Sequence, residues 1–440
     1  MTRESIFQDL KELVSFNSVH GDPELVDQHA GAAQWVSEAL KKANLEVEVV
    51  PTVDDAPIIL GRKAPEPGMP TILLYSHYDV VSAGESEKWE SDPFTLTERD
   101  GRWYGRGAAD CKGNLVMHLE ALRQVEQAGG TPLGILVLIE GSEEQGGEGL
   151  DQLIKDRPEL FAADVIFIAD SGNAAVGHPT LTTCLRGGAQ IAVTVNTLEA
   201  PVHSGSFGGA APDAVAALVR LLDTLRDPQG RTVIEGVDCS GKWTGEPYPA
   251  EQFRQDAGVL DGVQLMGAEN DLPADMVWAR PAISITGFSS TPVDQAVNAV
   301  PATASARLNL RVPAGMDTLD TMDKLIAHLK NNVPFGAKIE VETWEGNQPF
   351  AADTSGPAAR ALAAALAKAY GQEHCAEMGS GGSIPLTSAL QSAYPEAEIA
   401  LFGVEEPQCS IHSPNESVDP TEIERIAAAE ADFLLHYRGE

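Results

Sequence analysis

The chain has 440 residues, 43% of them hydrophobic and 22% charged, which is ordinary for a globular protein. That length allows several units and a large buried core, and 41 Gly and 28 Pro fall short of a low-complexity chain. The formal charge of −35 excludes a phosphate-backbone or anionic-membrane surface as an expected partner.

The start, MTRESIFQDLKELV, reads as an amphipathic helix with no apolar signal core, and a second helix follows around Trp35–Leu40. No apolar run approaches the ~20 residues that span a bilayer. The five cysteines (Cys111, Cys184, Cys239, Cys375 and Cys409) have no CxxC spacing and suggest neither a disulfide framework nor a thiolate zinc site. A reducing cytoplasm is the expected compartment.

Strands are expected at Val47–Val50, Thr71–Tyr75, Gly134–Ile139, Val165–Ile168 and Glu398–Phe402. Helices are expected over Lys112–Ala128 and Ala358–Tyr370. This alternation predicts an α/β domain with a mixed, largely parallel sheet covered by helices. From about Gly187 to Trp344 the rhythm changes. Strand Gln190–Asn196, helix Asp213–Leu225, strands Ile283–Gly287 and Ala304–Val312, helix Asp320–Asn331 and strand Lys338–Thr343 give the order β-α-β-β-α-β. That is the ferredoxin-like plan. It carries an irregular insertion over Ile234–Arg280 with no assigned role. The predicted organisation is therefore one domain over residues 1–186 and 346–440, interrupted by a small domain over 187–345.

Ligands of open α/β sheets bind beyond the carboxyl ends of the strands. Here four strand exits carry metal-capable residues: His77 and Asp79, Glu143 and Glu144, Asp170, and, after a loop, His412. Asp110 precedes the Lys112–Ala128 helix. Singly, each has an ordinary explanation: a satisfied strand-end histidine, a helix N-cap, a solvated acidic turn. Jointly they suggest one shared site. Two imidazoles and three carboxylates without a thiolate suit Zn²⁺, Mn²⁺ or Co²⁺. Five ligands suit two ions sharing a bridging carboxylate. Of the two further carboxylates, Asp79 and Glu143, one can orient His77 and the other can exchange a proton with water.

The segments SHYDVV, GRGAADCKGN, EGSEEQGG, IAD and IHSPNE resemble the di-zinc dipeptidase/aminoacylase family, metallopeptidase family twenty, across nearly the whole chain. VHSGSFGG and GSGGSIP look most like its carnosine dipeptidase branch. The resemblance implies that His77 and Asp170 bind one Zn²⁺, that Glu144 and His412 bind the other, and that Asp110 bridges them. It implies that Asp79 orients His77, that Glu143 is the general base, and that the Asp110–Cys111 peptide bond is cis. The inserted domain is the family's lid. Through it the chain would form a homodimer, with His203 reaching the partner subunit's active site to stabilise an oxyanion. Asn298 and Arg311 match substrate-contacting lid positions. The Gly381, Gly382 and Ser383 loop would hold the substrate carboxylate in a backbone nest. Cys111 and Cys409 read as packing residues. The implied activity is hydrolysis of the amide bond of a dipeptide or similar small peptide. Deacylation or desuccinylation of N-acyl amino acids on the same scaffold is the alternative, and a non-catalytic binding protein the remote one.

Overall fold

The computed structural model describes residues 3–344, 346–382 and 384–439. They divide into two compact units. The first comprises residues up to Thr183, Ala352–Met378 and from Ile384 onward. The second comprises Cys184–Ala351 and Gly379–Ser383.

The first unit is built on a mixed sheet. Four central strands run parallel: Gly134–Glu140, Thr71–His77, Val165–Ala169 and Glu398–Phe402, in that spatial order. Antiparallel strands extend the Gly134–Glu140 side: Ile58–Lys63, then Glu46–Val50. The central strands are continuous apolar runs because both faces are covered; every residue of Gly134–Glu140 and of Val165–Ala169 is buried. Helix Lys112–Gln127 lies within this core and packs on helix Pro420–His436. The parallel register aligns the carboxyl ends, setting His77 beside Glu140 and Phe402 beside Ala169. The site residues leave the sheet along this edge.

The sequence reading did not anticipate strand Ile58–Lys63. Its apolar run breaks at Gly61, where a Cβ would lie 2.9 Å from Leu45 Cδ1. The glycine therefore marks a close approach inside the strand rather than its end.

The second unit has a four-stranded antiparallel sheet ordered Ala282–Ser289, Thr303–Val312, Gly187–Asn196, Lys338–Thr343. Helices Ala214–Asp223 and Thr318–Asn332 pack against it. This is the ferredoxin-like arrangement. Thr303–Val312 alternates, burying Ala304, Ala306, Leu308, Leu310 and Val312. Asp213 caps its helix by accepting from the Val215 and Ala216 N–H groups. The 234–280 insertion forms helices Ala250–Asp256 and Pro273–Trp278, with irregular chain between them.

The glycine-rich loop groups differently from the expected boundaries, since Gly379–Ser383 clusters with the second unit. A Cβ on Gly379 would sit 2.6 Å from the Trp278 ring, so only glycine lets the loop lie against that helix. Among the described residues no helix is long and apolar enough to cross a membrane.

Candidate metal centre

His77 ends its strand fully buried. Its Nδ1 lies 3.2 Å from Asp79 Oδ1. Asp79 is also buried and accepts the Glu143 and Glu144 backbone N–H groups at 3.2 and 3.0 Å. One carboxylate thus fixes both the imidazole and the acidic turn. The other face of His77 meets two acids. Nε2 is 3.2 Å from Asp110 Oδ1 and 3.4 Å from Asp170 Oδ1.

Asp110 faces both imidazoles. Its second oxygen, Oδ2, lies 3.0 Å from His412 Nε2, which is 3.1 Å from Glu144 Oε2. The five residues expected to bind metal therefore meet in one chain of contacts, with Asp110 in the middle. Their donor atoms include a compact group from His77, Asp110 and Glu144, all within 4.8 Å of one another. The Asp110–Cys111 peptide bond is cis.

Two neighbours escaped the sequence reading, and a third, Cys111, does more than expected. Glu416 accepts the backbone N–H groups of Gly107, Ala109 and Asp110 and pairs with Arg106 at 2.7 Å. It ends the HSPNE stretch, and only that position marked it. Glu405 groups with Asp110 and Asp170, and Asn114 Nδ2 donates to it at 3.3 Å. Its one signal was a second acid in the loop before His412. Cys111, expected to pack, is fully buried and donates to Ala169 O at 3.0 Å, yet its sulfur also groups with His77 and Asp170.

So many acids around two imidazoles leave negative charge poorly compensated. Burial, then Asp170, pushes Glu143 well above the ordinary carboxylate range. Burial, then Asp110 and Asp170, does the same to Glu405. Glu144 is also raised by burial, and its Oε1 is buried without a hydrogen-bond partner among the described residues. Hydrogen bonds to Asp110 and Glu144 push His412 up to about 10. Asp110 is held below its usual range: burial works against this, but hydrogen bonds from His412 and His77 prevail. Protons on the imidazoles thus occupy the place that cations would take. The donor set of imidazole and carboxylate, in which Glu144 Oε1 has no hydrogen-bond partner among the described residues, fits hard or borderline divalent cations.

The remaining expected residues lie in the second unit. His203 is exposed; its Nδ1 accepts the Gly205 N–H at 3.1 Å. His203 pairs with Ala299 across a two-residue ladder, which sets it beside Asn298, whose carbonyl accepts the Ser204 N–H. Arg311 lies half-buried on Thr303–Val312. The Gly382 N–H is taken by Ser380 Oγ at 3.2 Å and its carbonyl by the Arg186 N–H, so this amide is committed within the loop. Ser383 lies outside the described residues.

Residues 73–436 match the model of peptidase family M20/M25/M40. The chain belongs to this family. It is a family M20 metallopeptidase, and the matched stretch contains every acid and histidine of the centre. A cysteinylglycine-S-conjugate dipeptidase of Corynebacterium striatum is 58% identical over 99% of this chain and 96% of its own length. A Cys-Gly metallodipeptidase of Schizosaccharomyces pombe is 28% identical over 82% and 79%. The crystal structure of human carnosine dipeptidase 1 superposes with a TM-score of 0.78 at 24% identity, over 98% of this chain and 96% of that one. The M20 match and this likeness agree on the fold: a mixed α/β domain with an inserted ferredoxin-like domain.

Proposed function

We propose that the chain hydrolyses dipeptides, S-substituted cysteinylglycine above all, at a centre holding two divalent cations. One observation carries the metal reading: the two oxygens of Asp110 each face a different imidazole. His77 and Asp170 would hold one ion and Glu144 and His412 the other, with Asp110 shared. Zn²⁺ suits this set best, with Mn²⁺ or Co²⁺ as replacements. When bound, such ions supply a Lewis acid for the scissile carbonyl and make water a better nucleophile at neutral pH.

The chain's own residues do the rest. Glu143, whose proton affinity burial raises, takes the proton of the attacking water and returns it to the leaving amine. Asp79 is a positioning residue, because it holds the Glu143 backbone and the His77 ring together. On His203, Nδ1 accepts a hydrogen bond, so Nε2 carries the proton. That N–H is the donor for the oxyanion in the active site of the partner subunit, in a homodimer formed through the second unit. Arg311, Asn298 and the Gly381 backbone receive the substrate carboxylate. The free cysteines support a cytoplasmic location. The cysteinylglycine substrate rests on the relative that is 58% identical.

The test is a substrate panel on chelated protein with Zn²⁺, Mn²⁺ or Co²⁺ restored. S-benzyl-Cys-Gly and unsubstituted dipeptides should be cleaved and N-acetyl amino acids spared. Cleavage of the acyl compounds instead would make the enzyme a deacylase.

A further inference from the structure

The insertion over Ile234–Arg280, which the catalytic reading leaves without a role, contains the helix Pro273–Trp278 near its end. Trp278 is buried, and its ring is held by two aromatic neighbours. Tyr248 stacks on it at 5.4 Å, and Trp243 meets it edge-on at 5.1 Å. The start of the helix is held as well. Asp275 is buried, accepts the Trp243 and Leu272 N–H groups, and pairs with Lys242 at 2.7 Å. A ring packed in this way presents a fixed surface.

The glycine-rich loop lies on that surface. A Cβ on Gly379 would stand 2.6 Å from Trp278 Cγ and 3.0 Å from Cys184 Sγ, so the backbone passes between these two side chains with no room to spare. A Cβ on Gly381 would be in ordinary contact with Val277 Cγ1, at 3.8 Å. Arg186 joins the two segments. Its backbone N–H donates to the Gly382 carbonyl at 3.1 Å, and its Nη1 donates to the Val277 carbonyl. All of these residues belong to the second unit. A backbone nest holds an anion only when successive N–H groups converge. Glycines have the least tendency to stay in one conformation, so the shape of such a loop has to come from its neighbours.

We propose that the insertion is a substrate-positioning element: Trp278, with Arg186, holds the glycine-rich loop where it receives the C-terminal carboxylate of the substrate. Both are positioning residues that act through the Gly381 backbone. The inference rests on the proposed carboxylate role of that loop. It makes the preference for a free C-terminal carboxylate depend on the insertion.

Steady-state kinetics of the metal-loaded protein with S-benzyl-Cys-Gly and with its C-terminal amide test it. The wild type should prefer the acid. Trp278→Ala should lower kcat/KM for the acid about 10- to 100-fold, the worth of a charge-assisted hydrogen bond. The loss should fall mainly on KM, as expected when binding alone is weakened, and the amide should be nearly unaffected. Trp278→Phe keeps the Cβ and Cγ that Gly379 meets and should retain the preference; an equal loss there would overturn that contact as the cause. Arg186→Met, which loses the donor to Val277, should also reduce the preference and serves if Trp278→Ala does not fold. A merely structural role would lower both substrates together. Such a parallel loss, or a preference as large as the wild type's in Trp278→Ala and Arg186→Met or in whichever of them folds, would overturn this proposal and leave dipeptide hydrolysis standing. A wild type that cleaves acid and amide equally would instead overturn the carboxylate role of the loop, and this proposal with it.

Discussion

Asp110 has the most consequential position of any side chain in the first unit, because each of its oxygens serves a different histidine. The imidazoles must shed protons before they can ligate a cation. His412 is pushed up to about 10, so at neutral pH it is protonated and a proton competes with the metal. As pH rises that competition weakens. Metal uptake should therefore release protons, and the apparent affinity should rise steadily from about pH 6 to about pH 9. Calorimetry in buffers of different ionisation enthalpy measures both effects, and a flat affinity across that range would contradict the assignment. At Glu143 the expectation is different, because among the described residues neither imidazole of the centre forms an ion pair with its carboxylate, whereas His412 does with Glu144. Glu143→Gln should lower turnover by about 10²–10⁴ while metal content, read by elemental analysis, stays near wild type. Loss of bound metal in that variant would make Glu143 a ligand. His203→Ala should cost about 10²–10³ in kcat, as for other oxyanion donors.

At the scale of elements, the segment Gly107–Asp110 is held by an acid from the far end of the sequence. Glu416 binds three of its backbone N–H groups and Arg106, all buried. Glu416→Gln would turn a donor NH₂ toward N–H groups and leave Arg106 unpaired. The expected loss is about 3–5 kcal/mol of stability, the cost of breaking a buried pair from one side, measured by urea unfolding of the metal-free protein. Metal affinity should fall with it, since Asp110 loses its support. A variant as stable as wild type would contradict this.

The elements also mark where the sequence was legible. Thr71–His77, Gly134–Glu140 and Val165–Ala169 were readable because a doubly covered parallel strand is a continuous apolar run. Their exits exposed His77, Glu143, Glu144 and Asp170 to inspection. Thr180–Leu185 was not readable, since TLTTCL lacks such a run. Glu416 was missed as a clamp because its contact to Asp110 spans 306 residues, and no local pattern encodes that. The Gly382 N–H contact to Ser380 Oγ was not legible, because it depends on the loop's conformation.

Over the whole molecule, composition indicated little beyond an acidic globular chain, and motif order carried the functional reading. The ferredoxin-like order of the second unit was legible in its alternating strands and the helices between them. The seat of the glycine-rich loop on that unit was not, because Gly379 meets Trp278 across a long stretch of intervening chain. Light scattering should give twice the mass of one chain; a monomer with full activity would contradict the role of His203 across subunits.

The central feature of the site is a two-ion centre shared through Asp110. Titrating Zn²⁺ into metal-free wild type and Asp110→Ala, with bound metal counted per chain, addresses this directly. The wild type should bind two ions, and the variant should bind both more weakly. Saturation of the wild type at one ion, or a variant that keeps one ion at wild-type affinity, would contradict it.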